Sequence, residues 1–319
     1  MKRREKVNSS VDVTTNSGGI RTLEEKDMKA VIAAQKGVKF LVTFLIYAFL
    51  ILIALIVLFP FYWMIISSLK SLEEYKFTVP TFFPTTGVMF QNYATAFTTG
   101  NLGTLFVNTL FVGIVSTVLS LVITVLSAFA FARLEFKGKN ILFACLLATM
   151  MIPGELFTIT NYLTVTNLGW LKTYTVLIVP FLVSVFYIYL LRQNFLQIPN
   201  ELYLAAKVDG TSDLKYLWKV MIPLALPTLI SITILKMMGA WNSYIWPNLV
   251  APGNWMGQKH GHSMLLVSNG LRLLFSQGSE NLEAIKIAGS MVISIPLFIV
   301  FICFRKYIMR GVSRSGIKG

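Results

Sequence analysis

Few residues in this 319-residue chain are placed to do chemistry, and most of them lie among apolar neighbours. Glu155 and Lys236 interrupt long apolar runs, Cys145 and Cys303 each sit alone in one, and His260 and His262 form an H-x-H pair. None of these makes a catalytic set. There is no nucleophile with a base and an orienting group, and no H-E-x-x-H pattern. No G-x-x-x-x-G-K-[ST] loop is present to cradle a phosphate. Two imidazoles do not complete a metal site. Lone cysteines in apolar runs read as buried thiols, not as a disulfide framework. The expectation is a non-catalytic chain with no metal and no cofactor of its own.

The two ionisable residues remain to be explained. Glu155 is fifteen residues past Asn140 and Lys236 is fourteen past Ile222. If those runs are helices, each charge lies ~20 Å from the inner membrane surface at 1.5 Å per residue. A charge at that depth is costly and faces either a partner or a water-filled cavity. Two readings stay open. The pair forms an ion pair or sits within reach of water, or Lys236, with Glu155, lines a solute path and favours an acidic solute. Trp241 and Asn242, later in the same run, are further candidates for that path. Trp241, Tyr244 and Trp246 also suit an aromatic belt at the outer interface.

The elements that must position these residues follow from composition. The chain is 55% hydrophobic and 13% charged, against about 25% charged in soluble domains. The apolar residues collect into six runs, residues 40–66, 105–132, 140–163, 173–195, 222–246 and 284–304. Each reaches the ~20 residues needed to cross the hydrocarbon layer, where helices satisfy their own backbone groups. The expected fold is an all-α integral membrane protein. It has six transmembrane helices in a membrane domain over residues 40–304, with a short cytoplasmic helix between spans four and five. Residues 1–39 and 305–319 are expected as cytoplasmic tails, the first with a short helix near residues 23–35 opened by a Thr22/Glu25 capping box. With the N-terminus inside, 21 Lys and Arg fall on inner segments and 6 on outer loops. That bias places both termini in the cytoplasm. It also accounts for the net charge of +14 without nucleic acid. Pro153-Gly154 and Pro180 are expected to bend or break their spans. Ser116, Ser120, Thr124, Ala128 and Ala132 form a small-residue stripe for close helix packing.

Residues 198–227, between the fourth and fifth runs, are more polar than their flanks. Asn200 is suited to cap a short helix there, and Glu201 to its positive first turn. Asp209-Gly210 ends it, with Gly210 as a left-handed stop. Leu202, Ala205, Ala206 and Asp209 recur at spacings of three and four, so they should share a face open to close approach.

This stretch resembles the EAA coupling loop of binding-protein-dependent ABC importers, through Ala205-Ala206, Asp209-Gly210, Ile222-Pro223 and Pro227. Leu204 stands where that family usually has an acid. Further pieces follow in the family's order. Pro60-Phe61-Tyr62-Trp63, Ser67-Ser68-Leu69-Lys70 and Gln91-Asn92-Tyr93 look like the first span and outer loop of sugar-importer permeases. Phe131-Ala132-Arg133 with Phe136-Lys137-Gly138 is similar to their first inner loop, and Trp241-Asn242 with Trp246-Pro247 to the end of their fifth span. The ending Gly316-Ile317-Lys318-Gly319 resembles that of the maltose-permease half called MalG-like.

The resemblance implies a multi-pass subunit of a prokaryotic cytoplasmic membrane. It implies a heterodimer with a second permease subunit, two ATPase subunits that carry ATP and Mg, and an extracytoplasmic sugar-binding protein. Glu201, Leu204, Ala205, Ala206, Asp209 and Gly210 would then couple to an ATPase. An ion-coupled secondary transporter is the alternative, and it would rest on Glu155 and Lys236.

Overall fold

The computed structural model describes residues 18–251, 264–276 and 283–313, and among these the regular structure is entirely helical. His260, His262 and the ending at residues 316–319 lie outside the described residues. The chain divides into two compact units, Met1–Tyr62 and Trp63–Gly319.

The described part of the first unit belongs to a single long helix, α1 (Gly18–Ser68). A separate tail helix followed by a span is therefore not what forms. Between Ala30 and Phe40 only Gly37 is a weak helix former, and the helix continues through it. Every residue from 35 to 60 is exposed. An apolar helix keeps all its backbone bonds internal, which is what a lipid environment requires.

The second unit carries α2 (Leu72–Tyr75) and α3 (Gln91–Thr99), then the long α4 (Leu102–Arg133). Next come α5 (Lys139–Thr149), a 3-10 turn (Gly154–Phe157) and α6 (Thr158–Asn167). A second interrupted segment follows: α7 (Tyr174–Ile178), a 3-10 turn (Val179–Phe181) and α8 (Val185–Leu196). The short α9 (Asn200–Val208) precedes α10 (Asp213–Tyr216), which runs through a π-helical turn (Leu217–Met221) into α11 (Ile222–Trp241). Then come α12 (Ile245–Val250), α13 (Val267–Ser276) and α14 (Glu283–Ser313).

Four helical stretches are long and apolar enough to cross a membrane alone: Gln35–Ser68, Leu102–Arg133, Asp213–Trp241 and Glu283–Lys306. The third and fourth apolar runs are broken, with bends of 84° and 45°. The spans number six if each bent pair counts as one. Proline explains both breaks, because it donates no N–H and its ring clashes with the preceding turn. At Pro153 the effect exceeds a kink. With 11 residues, α5 reaches only ~16 Å, short of the ~30 Å hydrocarbon layer. Pro223 acts more gently. It offers no N–H to the Lys219 carbonyl, and the turn before it widens to π geometry.

α4 is the central helix, and α8 and α11 are the elements it packs against most closely. All five members of its small-residue stripe are buried. The stripe serves packing within the chain. Towards its last turn, Ala128, Phe129 and Ala132 join Leu191, Phe195, Tyr216, Leu217 and Met221 in one apolar cluster. In its first half, polar groups tie down the segment before α13: Val267 donates its N–H to Thr109 Oγ1 at 2.8 Å, and Asn108 Nδ2 donates to the Leu265 carbonyl at 3.1 Å. Cys145 and Cys303 are exposed on apolar helices and are not buried in this chain as expected.

The loop after α1 is held by its own polar groups. Ser71 caps α2 by accepting from the Glu74 N–H. Glu74, 2% exposed, accepts from Thr81 Oγ1 at 2.5 Å, from the Thr85 N–H, and from both the N–H and hydroxyl of Thr86. Burial alone would raise this carboxyl, but the hydrogen bonds from Thr81, Thr85 and Thr86 outweigh it and hold the pKa down to about 2. Asn92 Nδ2 donates to the carbonyls of Ser68 and Lys70, and the Ser68 and Tyr93 hydroxyls lie 2.7 Å apart. The Ser-Ser-Leu-Lys and Gln-Asn-Tyr pieces of the sequence are thus two halves of one clasp.

Candidate functional sites: a braced surface helix and an intramembrane cavity

α9 has no buried residue, yet both its ends are fixed. Asn200 does not cap it. The cap position is Pro199, and the Asn200 side-chain oxygen instead accepts from Arg133 Nη1 at 3.5 Å. Arg133, 8% exposed at the end of α4, also donates through Nη2 to the carbonyls of Phe195 and Ile198 at 3.0 and 2.5 Å. One guanidinium therefore closes the end of α8 and the entry to α9. The exit is a Schellman turn. Thr211 donates its N–H to the Ala206 carbonyl, Gly210 donates to that of Lys207, and Gly210 has φ +69°. Lys207 lies 2.7 Å from the Asp213 carboxylate, which also accepts from the Tyr203 hydroxyl at 2.8 Å. Burial, reinforced by that carboxylate, raises the Tyr203 pKa above its usual value.

The expected face of α9 changes in one member. Ala206 turns inward with Tyr203 against the apolar cluster, while Leu202, Ala205 and Asp209 are exposed. Glu201, Leu204 and Gly210 are exposed as well. Leu204 and Val208, one turn apart on α9, are exposed apolar side chains, as are Leu214 and Trp218 in the segment that follows. Val208 is 88% exposed and Trp218 66%. Burying a side chain of that size stabilises an interface by about 1.5–3 kcal/mol.

The second site lies within the spans. Val112 and Ser116 of α4, residues of the broken fourth segment and residues of α11 line an open cavity of about 370 Å³. Lys236 is on its wall and donates to the Phe181 carbonyl at 2.5 Å. The break at Pro180 supplies that carbonyl, since α8 starts afresh at Val185 with Ser184 as its cap. Ser184, Tyr187, Ser243 and Trp246 also line the space. Trp246 packs edge-on to Phe181 with centroids 5.5 Å apart.

The other expected path residues are elsewhere. Trp241 is 6% exposed and donates Nε1–H to the Ile293 carbonyl of α14. Asn242 is exposed just past α11 and is not part of the cavity wall. Glu155 is exposed in the 3-10 turn before α6 and, among the described residues, forms no ion pair with Lys236. Trp246 is buried at 7%, so neither tryptophan stands in an interfacial belt, while Tyr244 at 40% exposure remains suited to one. The sequence carried no signal for Phe181 or Ser184 beyond the neighbouring proline.

Comparison with known proteins places the chain in a family. Residues 120–314, more than half of the chain, match the family described as binding-protein-dependent transport system inner membrane component. The chain belongs to this family. As a transport permease it is 32% identical to the arabinooligosaccharides transport system permease protein AraQ of Halalkalibacterium halodurans, over 84% of this chain and 93% of that protein. It is 30% identical to the polygalacturonan/rhamnogalacturonan transport system permease protein YtcP of Bacillus subtilis, over 86% and 97% of the two chains. Its fold is similar to the crystal structure of a bacterial ABC transporter involved in import of the acidic polysaccharide alginate. The TM-score is 0.69 at 23% identity, covering 92% of this chain and 99% of that one. The protein is thus a multi-pass membrane component of a binding-protein-dependent ABC transporter. These matches favour the importer over the ion-coupled alternative.

Proposed function

We propose that this permease forms half of the translocation path for a carbohydrate, an oligosaccharide delivered by an extracytoplasmic binding protein. It pairs with a second permease subunit as a heterodimer. Two separate ATPase subunits hold ATP and Mg and drive it, and this chain binds no cofactor. Both termini and α9 face the cytoplasm. The arabinooligosaccharide and polygalacturonan systems of its relatives support a saccharide cargo.

The observation that carries this reading is α9 itself. A nine-residue helix with no buried residue would gain little by folding alone, yet Arg133 and the Schellman turn hold it in one pose. Such bracing suits a helix that is pushed by a partner and must pass the force to α8 and α11. Residues 201–210 therefore make the contact with the ATPase, and Leu204 adds apolar contact where an acid is usual.

The test is affinity purification from mild detergent, with the copurifying subunits identified and ATPase activity assayed. A second permease and an ATPase should copurify, and the ATPase should be lost when residues 201–210 are deleted. A lone chain that moves solute without ATP would sink the reading.

A further inference from the structure

Among the described residues, Lys236 is the single charged one on the wall of the intramembrane cavity. Its ammonium has three N–H donors, and the Phe181 carbonyl takes one of them. Among the described residues it forms no ion pair. A lysine whose only task was to satisfy the broken helix could be replaced by a neutral donor without the cost of holding a charge among the spans. The space around it is of a useful size. At about 370 Å³ it falls in the ~300–1,000 Å³ range of small-molecule sites. Its wall combines hydroxyls from Ser116, Ser184 and Ser243 with the aromatic faces of Phe181, Tyr187 and Trp246. Hydroxyls and aromatic faces suit a sugar ring, and the ammonium adds a counter-charge.

We propose that Lys236 and the serines around it form a carboxylate subsite that selects saccharides bearing a uronic acid. This rests on the importer reading and adds the charge of the cargo to it. One lysine with neutral hydroxyls matches a single negative charge. A phosphate ester, with nearly two charges and three acceptor oxygens, would call for a second cation or a bidentate arginine, and the wall has neither. Lys236 then has two tasks in alternation. With the cavity empty it holds the Phe181 carbonyl at the Pro180 break, and with a uronate bound it shares its donors with the carboxylate.

The test is direct binding to the purified intact transporter in nanodiscs, without the binding protein, so that the latter's own preference does not enter. Digalacturonate is compared with its carboxyl-reduced disaccharide by isothermal titration. The expected result is that digalacturonate binds about tenfold or more tightly, the scale of one charge-assisted hydrogen bond. Lys236→Met should abolish that preference by weakening digalacturonate far more than the neutral sugar, and Lys236→Arg should retain most of it. Equal binding of both sugars, an equal loss of both in Lys236→Met, no heat with either up to millimolar concentration, or tighter binding of a sugar phosphate would each overturn the subsite. Copurification of the ATPase is read separately, so a failed subsite leaves the importer reading standing and a missing ATPase would show in that assay alone.

Discussion

Arg133 Nη2 donates to the carbonyl oxygen of Ile198 at 2.5 Å, joining the last residue of α4 to the residue two before α9. The same nitrogen reaches the Phe195 carbonyl, so the end of the central helix and the start of the surface helix are one rigid joint. Arg133→Met removes these donors and takes from the buried Ile198 carbonyl the guanidinium it accepts from, at a cost of about 1–3 kcal/mol, while the Phe195 carbonyl keeps the Ile198 N–H. Arg133→Lys keeps the charge without the fork. Both variants should reach the membrane and unfold at lower temperature. In both, ATP hydrolysis by the copurified complex should continue while transport per ATP falls. Unchanged transport per ATP in Arg133→Met would remove the joint from the mechanism.

Gly210 sits at φ +69°, where a Cβ costs about 1–2 kcal/mol. No atom lies within 4 Å of a Cβ built there, so strain alone should decide the outcome. Gly210→Val should loosen the exit of α9 and weaken ATPase copurification, while Gly210→Asn should stay close to the wild type. Pull-down yield across the two variants checks this, and equal losses would point to a role for the missing side chain instead.

Leu204 and Val208 test the exposed apolar side chains of α9. Val208→Asp places a charge in a contact that otherwise buries an apolar group, and should cut ATPase recovery about tenfold or more. Leu204→Glu restores the acid usual in the family. It should keep assembly and change the ATP turnover coupled to transport, as measured in proteoliposomes. Loss of assembly in Leu204→Glu would count against its place at that contact.

Glu74 gives a pH prediction. Its folded pKa lies at about 2 against an ordinary 4.5. The sign follows: the carboxylate stabilises the fold fully above the ordinary value, and that contribution fades as pH falls from 4.5 towards 2. Glu74→Gln turns an amide donor towards donors from Thr81, Thr85 and Thr86, and should lower the melting temperature at pH 7. The gap between the two proteins should narrow below about pH 4.5. A gap that stays constant from pH 7 to pH 3 would show that the charge of Glu74 is not what holds the loop.

Much of α9 and its two ends was legible because its parts are near one another in sequence. The Gly210 stop, the acidic first turn and the exposed helix follow from residues within ten positions. The cap assigned to Asn200 was wrong because Arg133, 67 positions away, takes its oxygen. The cavity was legible only as one residue, Lys236, since Phe181, Ser184 and Ser243 are unremarkable until α11 lies against the broken fourth segment. Trp241 could not be placed by spacing, as its inward turn depends on where α14 packs.

The sequence alone determined that this chain lives in lipid and is helical, because apolar runs of that length can bury their backbone polar groups in no cheaper way. It determined the order of the helical segments and the presence of a short polar helix between the fourth and fifth runs. Only the tertiary structure decided that the third run turns through 84°, and that Glu74 is caged by threonines. It alone decided that Lys236 meets the Phe181 carbonyl left over where the fourth segment breaks before α8. Those outcomes depend on contacts across tens of residues, where burial and hydrogen bonding between elements outweigh anything that local spacing encodes.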